Sequence, residues 1–460
     1  MTFDDSKFSD MAERIFREKG FNATQLASPE GQALIAETFG VLRNAISSAI
    51  TQEVPEILTY ALENNAFVFS GFKTFHALRE VGLSLTNPDG SIKPFERFLN
   101  DVQTINNRYN HNYLRAEYNQ AVAASQMAVR WHEFEKNGND YYLQYRTAAD
   151  SHVREEHAIL HNTTLPIDDP FWNSFLPPNG WNCRCTAVQV RKSKYPMSDP
   201  ELAMRRGLNC TDGAKRQIFR FNPGKSMRLY PERHPYLPKG CGNCDMRLNL
   251  AFDAKSEKCK ACEEINRQKR IVINRKKYEE LKKDPDYKDV EFNPETGALK
   301  ATHVGHKTHP NDEQTFFGKT MNGDDLENEF MQLAYESGHS VIFNDESKVG
   351  SNGNQLSSLD MILDGVIMDL KSITKLKDFY GYAINAKNDQ LLRYNIREDV
   401  EIKSDTTCLY FHDASMYSPE RITKGIEWMK KNPRTTDIAL KMIVCALREG
   451  NNLKFIHHKV

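Results

Sequence analysis

Asp360, Asp369 and Lys371 have the types and spacing to hold a divalent metal. They flank Asp364-Gly365, a strong two-residue turn signal, because a type I′ turn needs positive φ at both central positions. With those two as the loop, Leu363 pairs with Val366, Ile362 with Ile367, Met361 with Met368 and Asp360 with Asp369. Strand side chains alternate between faces, so Asp360, Asp369 and Lys371 project from one face. Facing carboxylates, with Cβ atoms roughly 4.5–5.5 Å apart, repel one another. A hard cation such as Mg²⁺ or Mn²⁺ is their natural complement. An edge hairpin with solvated charges is the bland alternative, and it leaves the pair uncompensated.

Cysteines supply a second chemistry. Cys241 and Cys244, then Cys259 and Cys262, form two CxxC pairs fourteen residues apart. Four thiolates at this spacing suit tetrahedral Zn²⁺ in a closed, structural shell. A segment with so little core needs such a staple. His157 and His161 lie four apart, on one face if helical, and Cys183 and Cys185 lie two apart in a Pro/Gly-rich loop. Those four could hold a second zinc, although CxC is a poorer chelate than CxxC and ordinary packing is the leading reading.

The elements that must position these groups follow from periodicity. With 460 residues, 61 basic and 62 acidic, the chain is expected to form two or three domains with no whole-chain preference for polyanions. No stretch approaches a membrane span, and the polar, acidic start does not read as a signal peptide. The expected fold is multidomain α+β. Residues 1–95 read as helical, with Phe75, Leu78 and Val81 recurring every third residue and Gly82 a plausible stop. Residues 94–132 give one or two long helices. Residues 190–240 read as an arm, and 263–290 as a basic helix able to touch nucleic acid. Further on, a helix opens at Asn322, carrying Glu327 and Glu329 beside its apolar stripe, with Gly338 as its stop. A capping box with Asp324 is the bland explanation of Glu327. Ser340–Phe343, Thr406–His412 and Lys441–Leu447 read as strands, and 376–390 and 419–431 as helices.

Two resemblances attach to these residues. Arg146-Thr147-Ala148 with Asp150, Arg154 with Glu156-His157 and Leu160, Asp168-Asp169-Pro170-Phe171-Trp172, and Pro177-Pro178-Asn179-Gly180-Trp181 with Cys183-Arg184-Cys185 together resemble the phage Mu F-type head morphogenesis family. That resemblance implies a capsid-associated protein near the portal, partnered by portal and capsid proteins. It would be made in the host bacterial cytoplasm and then carried in the virion. Asp360, Asp369 and Lys371 in turn resemble the PD-(D/E)XK nuclease motif, and residues 320–412 resemble nuclease toxins of contact-dependent growth inhibition systems. This implies a restriction-endonuclease-like domain acting on tRNA or DNA. Mg²⁺ would be held by Asp360, Asp369 and the Leu370 carbonyl, and Lys371 would position the attacking water. Glu329 (or Glu327) would be the first-helix acid, and Lys387 and Gln390 would lie on the following helix. A small immunity protein would protect the producer. The expected domains are 1–95 (helical), 96–195 (head morphogenesis), 196–299 (connector with zinc knuckle and basic helix) and 300–460 (nuclease). The competing reading is a purely structural head protein whose last domain is a binding module.

Overall fold

The apolar stripes of the first 136 residues do form helices in the computed structural model, which describes residues 2–136, 140–237, 257–307, 314–316, 319–350, 353–400, 402–432 and 437–460. The chain divides into two compact units, one whose described part ends at Asn266 and one of Arg267–Val460. In the first, the main helices are Asp5–Arg17, Pro29–Ala49, Glu56–Ser84, Phe95–Asn106 and Leu114–Lys136. Asp4 and Ser28 start the first two by accepting main-chain N–H bonds, as short polar side chains do at helix N-termini. Phe75, Leu78 and Val81 are buried as expected. Their helix runs past Gly82 to Ser84, since one glycine costs only about 1 kcal/mol in a helix and packing overrides it. A π-helical stretch, Asn107–Tyr113, joins the last two helices. There the Tyr109 carbonyl accepts from the Lys73 ammonium, which also pairs with Glu117, both charged side chains being buried.

Three short strands follow: β1 (Tyr141–Arg146), β2 (Thr164–Leu165) and β3 (Thr186–Arg191), antiparallel in the order β2-β1-β3. Trp131, Tyr145, Phe171, Trp172 and Phe175 fill the core beside them. The arm expected over 190–240 is instead built in. Helix Pro200–Cys210 adds Ala203 and Cys210 to that core, and Tyr230 stacks on Phe69. Isolated buried residues do this work, so no apolar run announced it.

In the second unit β4 (Tyr287–Phe292), β5 (Leu299–His303), β8 (Ser340–Phe343), β9 (Met361–Leu363), β10 (Val366–Ile373), β11 (Thr406–Phe411), β12 (Met442–Glu449) and β13 (Asn452–Lys459) form one sheet. Its order is β13-β12-β11-β10-β9-β8-β5-β4. β10, β11 and β12 run parallel, as do β5 and β8, while β9 is antiparallel to both its neighbours. A separate ribbon pairs β6 (Gln314–Phe316) with β7 (Lys319–Met321). The sheet takes in β4 and β5, ahead of the boundary expected near 300. Helix Glu257–Leu281 stops short of the expected 290, because Asp284 precedes a proline and is driven away from helical backbone.

Helices cover both faces of the sheet. Gly323–Glu336 lays Phe330, Met331, Leu333 and Ala334 against Val341, Met361, Met368, Leu370 and Tyr410. Gly338, at φ +85°, ends it as expected. Helices Gly381–Asn395 and Pro419–Lys431 pack on the other face, over Ile373, Leu409, Phe411 and Ile443. Among the described residues, no helix is long and apolar enough to cross a membrane.

Candidate functional site

The hairpin forms in the register its turn dictates. Leu363 faces Val366, Ile362 faces Ile367 and Met361 faces Met368. Asp364 and Gly365 sit at φ +48° and +85°, the signs of a type I′ turn. The Asp364 carboxylate accepts the Ser340 N–H at 3.0 Å and bonds His339 Nδ1 at 2.7 Å, tying the turn to β8. By strand alternation Asp360, Asp369 and Lys371 then share the face covered by helix Gly381–Asn395. Asp369 is fully buried. Gln390 donates to its Oδ1 at 2.5 Å and to the Ser358 carbonyl at 3.0 Å. The Lys387 ammonium sits on Asp369 Oδ2 and also donates to Gln390 Oε1 at 3.1 Å. Asp360 accepts the Leu370 N–H at 2.6 Å. Lys371 is exposed and lines an open cavity of about 180 Å³ with Lys375, Lys377, Tyr380 and Tyr382. Lys387, not Lys371, is therefore the cation in contact with Asp369.

A third carboxylate, unforeseen in the sequence, adjoins the pair. Glu346, buried in the loop after β8, accepts from Ser358 Oγ at 3.1 Å and adds its charge to the field at both aspartates. His306 stands between Glu346 (3.0 Å) and Glu327 (3.2 Å) and stacks on Phe343. Burial opposes the imidazolium, but the two glutamates outweigh it and raise His306 to about 9. Burial, then the charge of Asp369, holds Asp360 well above the usual carboxylate range. Burial also raises Asp369, with Lys387 opposing it. Glu327 is free for this role because Asn322 and Asp325 make the capping box, not Asp324 and Glu327. Glu329 goes elsewhere. It accepts from the Tyr410 hydroxyl, bonds His412 Nδ1 at 2.6 Å and pairs with Arg448 at 2.7 Å, on the sheet face opposite Asp369. Residues two apart on a helix point about 200° apart, so Glu327 and Glu329 cannot serve one site. The signal missed was Glu346 itself, an acid placed just after a strand that neighbours the hairpin.

The second cluster lies in the first unit. His157, in the short helix Glu155–Ala158, places Nδ1 3.6 Å from Cys183 Sγ and 3.5 Å from Cys185 Sγ. Among the described residues this is the one group of three or more potential metal ligands whose ligand atoms all lie within 4.8 Å of one another. His161 is not part of it: its Nδ1 accepts the Thr147 N–H at 3.1 Å. A turn of helix spanning only Glu155–Ala158 ends before His161 and cannot put both rings on one face. The surrounding motif holds the loops together. Arg184 pairs with Asp150 through two contacts of 2.6 Å, Arg154 donates to the Trp181 carbonyl at 2.5 Å, and the Tyr145 hydroxyl donates to Asn179 at 2.9 Å. The peptide bond between Pro177 and Pro178 is cis.

The family described as Phage Mu protein F like protein matches residues 91–188, which bracket this motif. This segment carries a phage Mu F-like domain. Among curated relatives, the putative capsid assembly protein F of Escherichia phage Mu is 30% identical over 177 residues, 37% of this chain and 37% of that protein. The Mu-like prophage FluMu F protein of Haemophilus influenzae is 34% identical over 112 residues, 23% of this chain and 26% of that protein. The chain thus spans about a third of the length of these relatives. No solved structure matches it. The Mu F-like match stops short of the carboxylate site and of Cys210. Of the CxxC pairs, Cys241 and Cys244 lie outside the described residues. Cys259 and Cys262 sit in the opening of helix Glu257–Leu281, not on the tight turn expected for a knuckle.

Proposed function

We propose that the chain is a head-assembly protein of the phage Mu F type whose C-terminal unit is a metal-dependent nuclease. The Mu F-like domain supports the first part, together with the capsid assembly role named for the phage Mu relative. Portal and capsid proteins are then its partners, first in the host cytoplasm and later in the virion.

The nuclease reading rests on one observation: two neighbouring carboxylates, the buried Asp369 and the half-buried Asp360, share a face, with Lys387 and Gln390 fixed upon Asp369. A hard divalent ion fits this group. The donors are all oxygen, Glu346 adds its charge to the field at both aspartates, and Lys387 alone does not balance the charge. Asp360 and Asp369, with the Leu370 carbonyl, would hold Mg²⁺ or Mn²⁺. The bound ion would supply Lewis-acid polarisation of a phosphodiester. Gln390 keeps Asp369 in one rotamer through Oδ1, while Ser358 ties Gln390 and Glu346 to the same loop. Lys371, with Lys375 and Lys377 on the adjoining cavity wall, offers ammonium groups to the substrate backbone. Glu327 holds His306 and has no direct part in the chemistry. A structural zinc at Cys241, Cys244, Cys259 and Cys262 and a neighbouring immunity protein complete the reading.

Incubating the purified full chain with labelled tRNA and DNA, in Mg²⁺ or in EDTA, tests it. Cleavage that needs Mg²⁺ and disappears in Asp360→Asn is expected. Cleavage that survives EDTA, or that Asp360→Asn retains, would remove the nuclease assignment, as would intact substrates throughout.

A further inference from the structure

The geometry points to a zinc site formed by His157, Cys183 and Cys185 of the Mu F-like domain, with Cys210, beyond that domain's matched residues, as the fourth ligand. Three observations converge on it. The first is distance. With Zn–S near 2.3 Å and Zn–N near 2.0–2.1 Å, a tetrahedral shell sets nitrogen and sulfur roughly 3.6 Å apart. Nδ1 of His157 lies 3.6 and 3.5 Å from the two sulfurs. One ring nitrogen has one lone pair or one proton. It can make one good hydrogen bond to a thiol but not two, so two sulfurs at the same distance from one nitrogen describe an edge-sharing shell better than a hydrogen-bonded pair.

The second observation is burial. His157, Cys183 and Cys185 are 4%, 8% and 9% exposed, in a cluster otherwise built of Trp131, Tyr145, Phe171 and Trp172. A dry shell of this kind favours metal–thiolate bonds over hydration of the ion. No disulfide uses these sulfurs. The third is the fourth ligand. Cys210 ends helix Pro200–Cys210, is fully buried and belongs to the same cluster. It lies outside the set within 4.8 Å, so the helix end has to move inward for Cys210 to close the shell. Four protein ligands leave no open position, which makes the metal structural. It would clamp three loops, those of His157, of Cys183-Arg184-Cys185 and of the helix end at Cys210.

Zinc absorption-edge spectroscopy on the full chain, purified without chelator, needs no variant. Histidine nitrogen in the shell is expected. Zinc surrounded by sulfur alone, which the CxxC cysteines would give, overturns the proposal, and so does a chain without zinc. Elemental analysis of Cys183→Ser and His157→Asn chains should each find one zinc fewer than the parent. Unchanged content in both overturns it as well. With Co²⁺ in place of zinc, Cys210→Ser should lower the thiolate-to-metal charge-transfer band by the share of one thiolate in the total. An unaltered band removes Cys210 from the shell and the four-ligand site with it.

Discussion

Asp360 and Asp369 are the same acid but keep different company. Asp360→Asn removes an acid whose ionised form is disfavoured by burial and by Asp369, and keeps an oxygen to accept the Leu370 N–H. The metal-free chain should gain on the order of 1 kcal/mol while losing cleavage, read as a higher urea midpoint. Asp369→Asn should also lose cleavage but not gain stability. From the hairpin alone, relief of repulsion would be expected there too. Lys387 reverses the sign, because the variant leaves a largely covered ammonium without its carboxylate at a cost of roughly 2–3 kcal/mol. His306 gives a pH test. Its folded pKa of about 9 lies above its ordinary 6.5, so folding favours the proton. The stabilisation is complete below pH 6.5 and lost as pH rises through 9. The urea midpoint should fall between pH 7 and 9.5, by up to about 3 kcal/mol in stability. His306→Gln should flatten that slope, and an unchanged slope would refute the role given to the two glutamates.

At the scale of elements, the hairpin is where local chemistry decides most. Gly365 at φ +85° tolerates no Cβ without strain, so Gly365→Ala should destabilise by about 1–2 kcal/mol. Circular dichroism melting should show a lowered midpoint, whereas Val366→Ala, at an exposed position, should change little. This hairpin was legible residue by residue because turn type, register and face all follow from two adjacent residues. Helix Pro419–Lys431 was equally plain, with Ser418 capping it and proline at its first position. The rest was obscure for identifiable reasons. Glu329 and Glu327 look equivalent in sequence, and only the placement of their helix on the sheet tells them apart. Glu346 and His306 come from separate loops that meet in space. Strand β13 lies beyond the last strand foreseen, in a stretch with basic residues on both faces. Helix 376–390 was expected five residues early, since its apolar spacing begins before its actual N-terminus at Gly381.

For the whole molecule, the division at Arg267 predicts separable roles. A chain ending at Asn266 should still enter heads assembled in its presence, as assayed by immunoblot of purified particles. Its exclusion would show that assembly needs the second unit. That unit also has to live with its own charge. Lys387 is a counterion fixed by covalent linkage, already seated on Asp369. A diffusible cation must therefore compete with a tethered one whose local concentration never falls. A metal bound at Asp369 would leave the Lys387 ammonium available to a phosphate. Lys387→Met should accordingly bind Mg²⁺ more tightly by calorimetry and yet turn over more slowly.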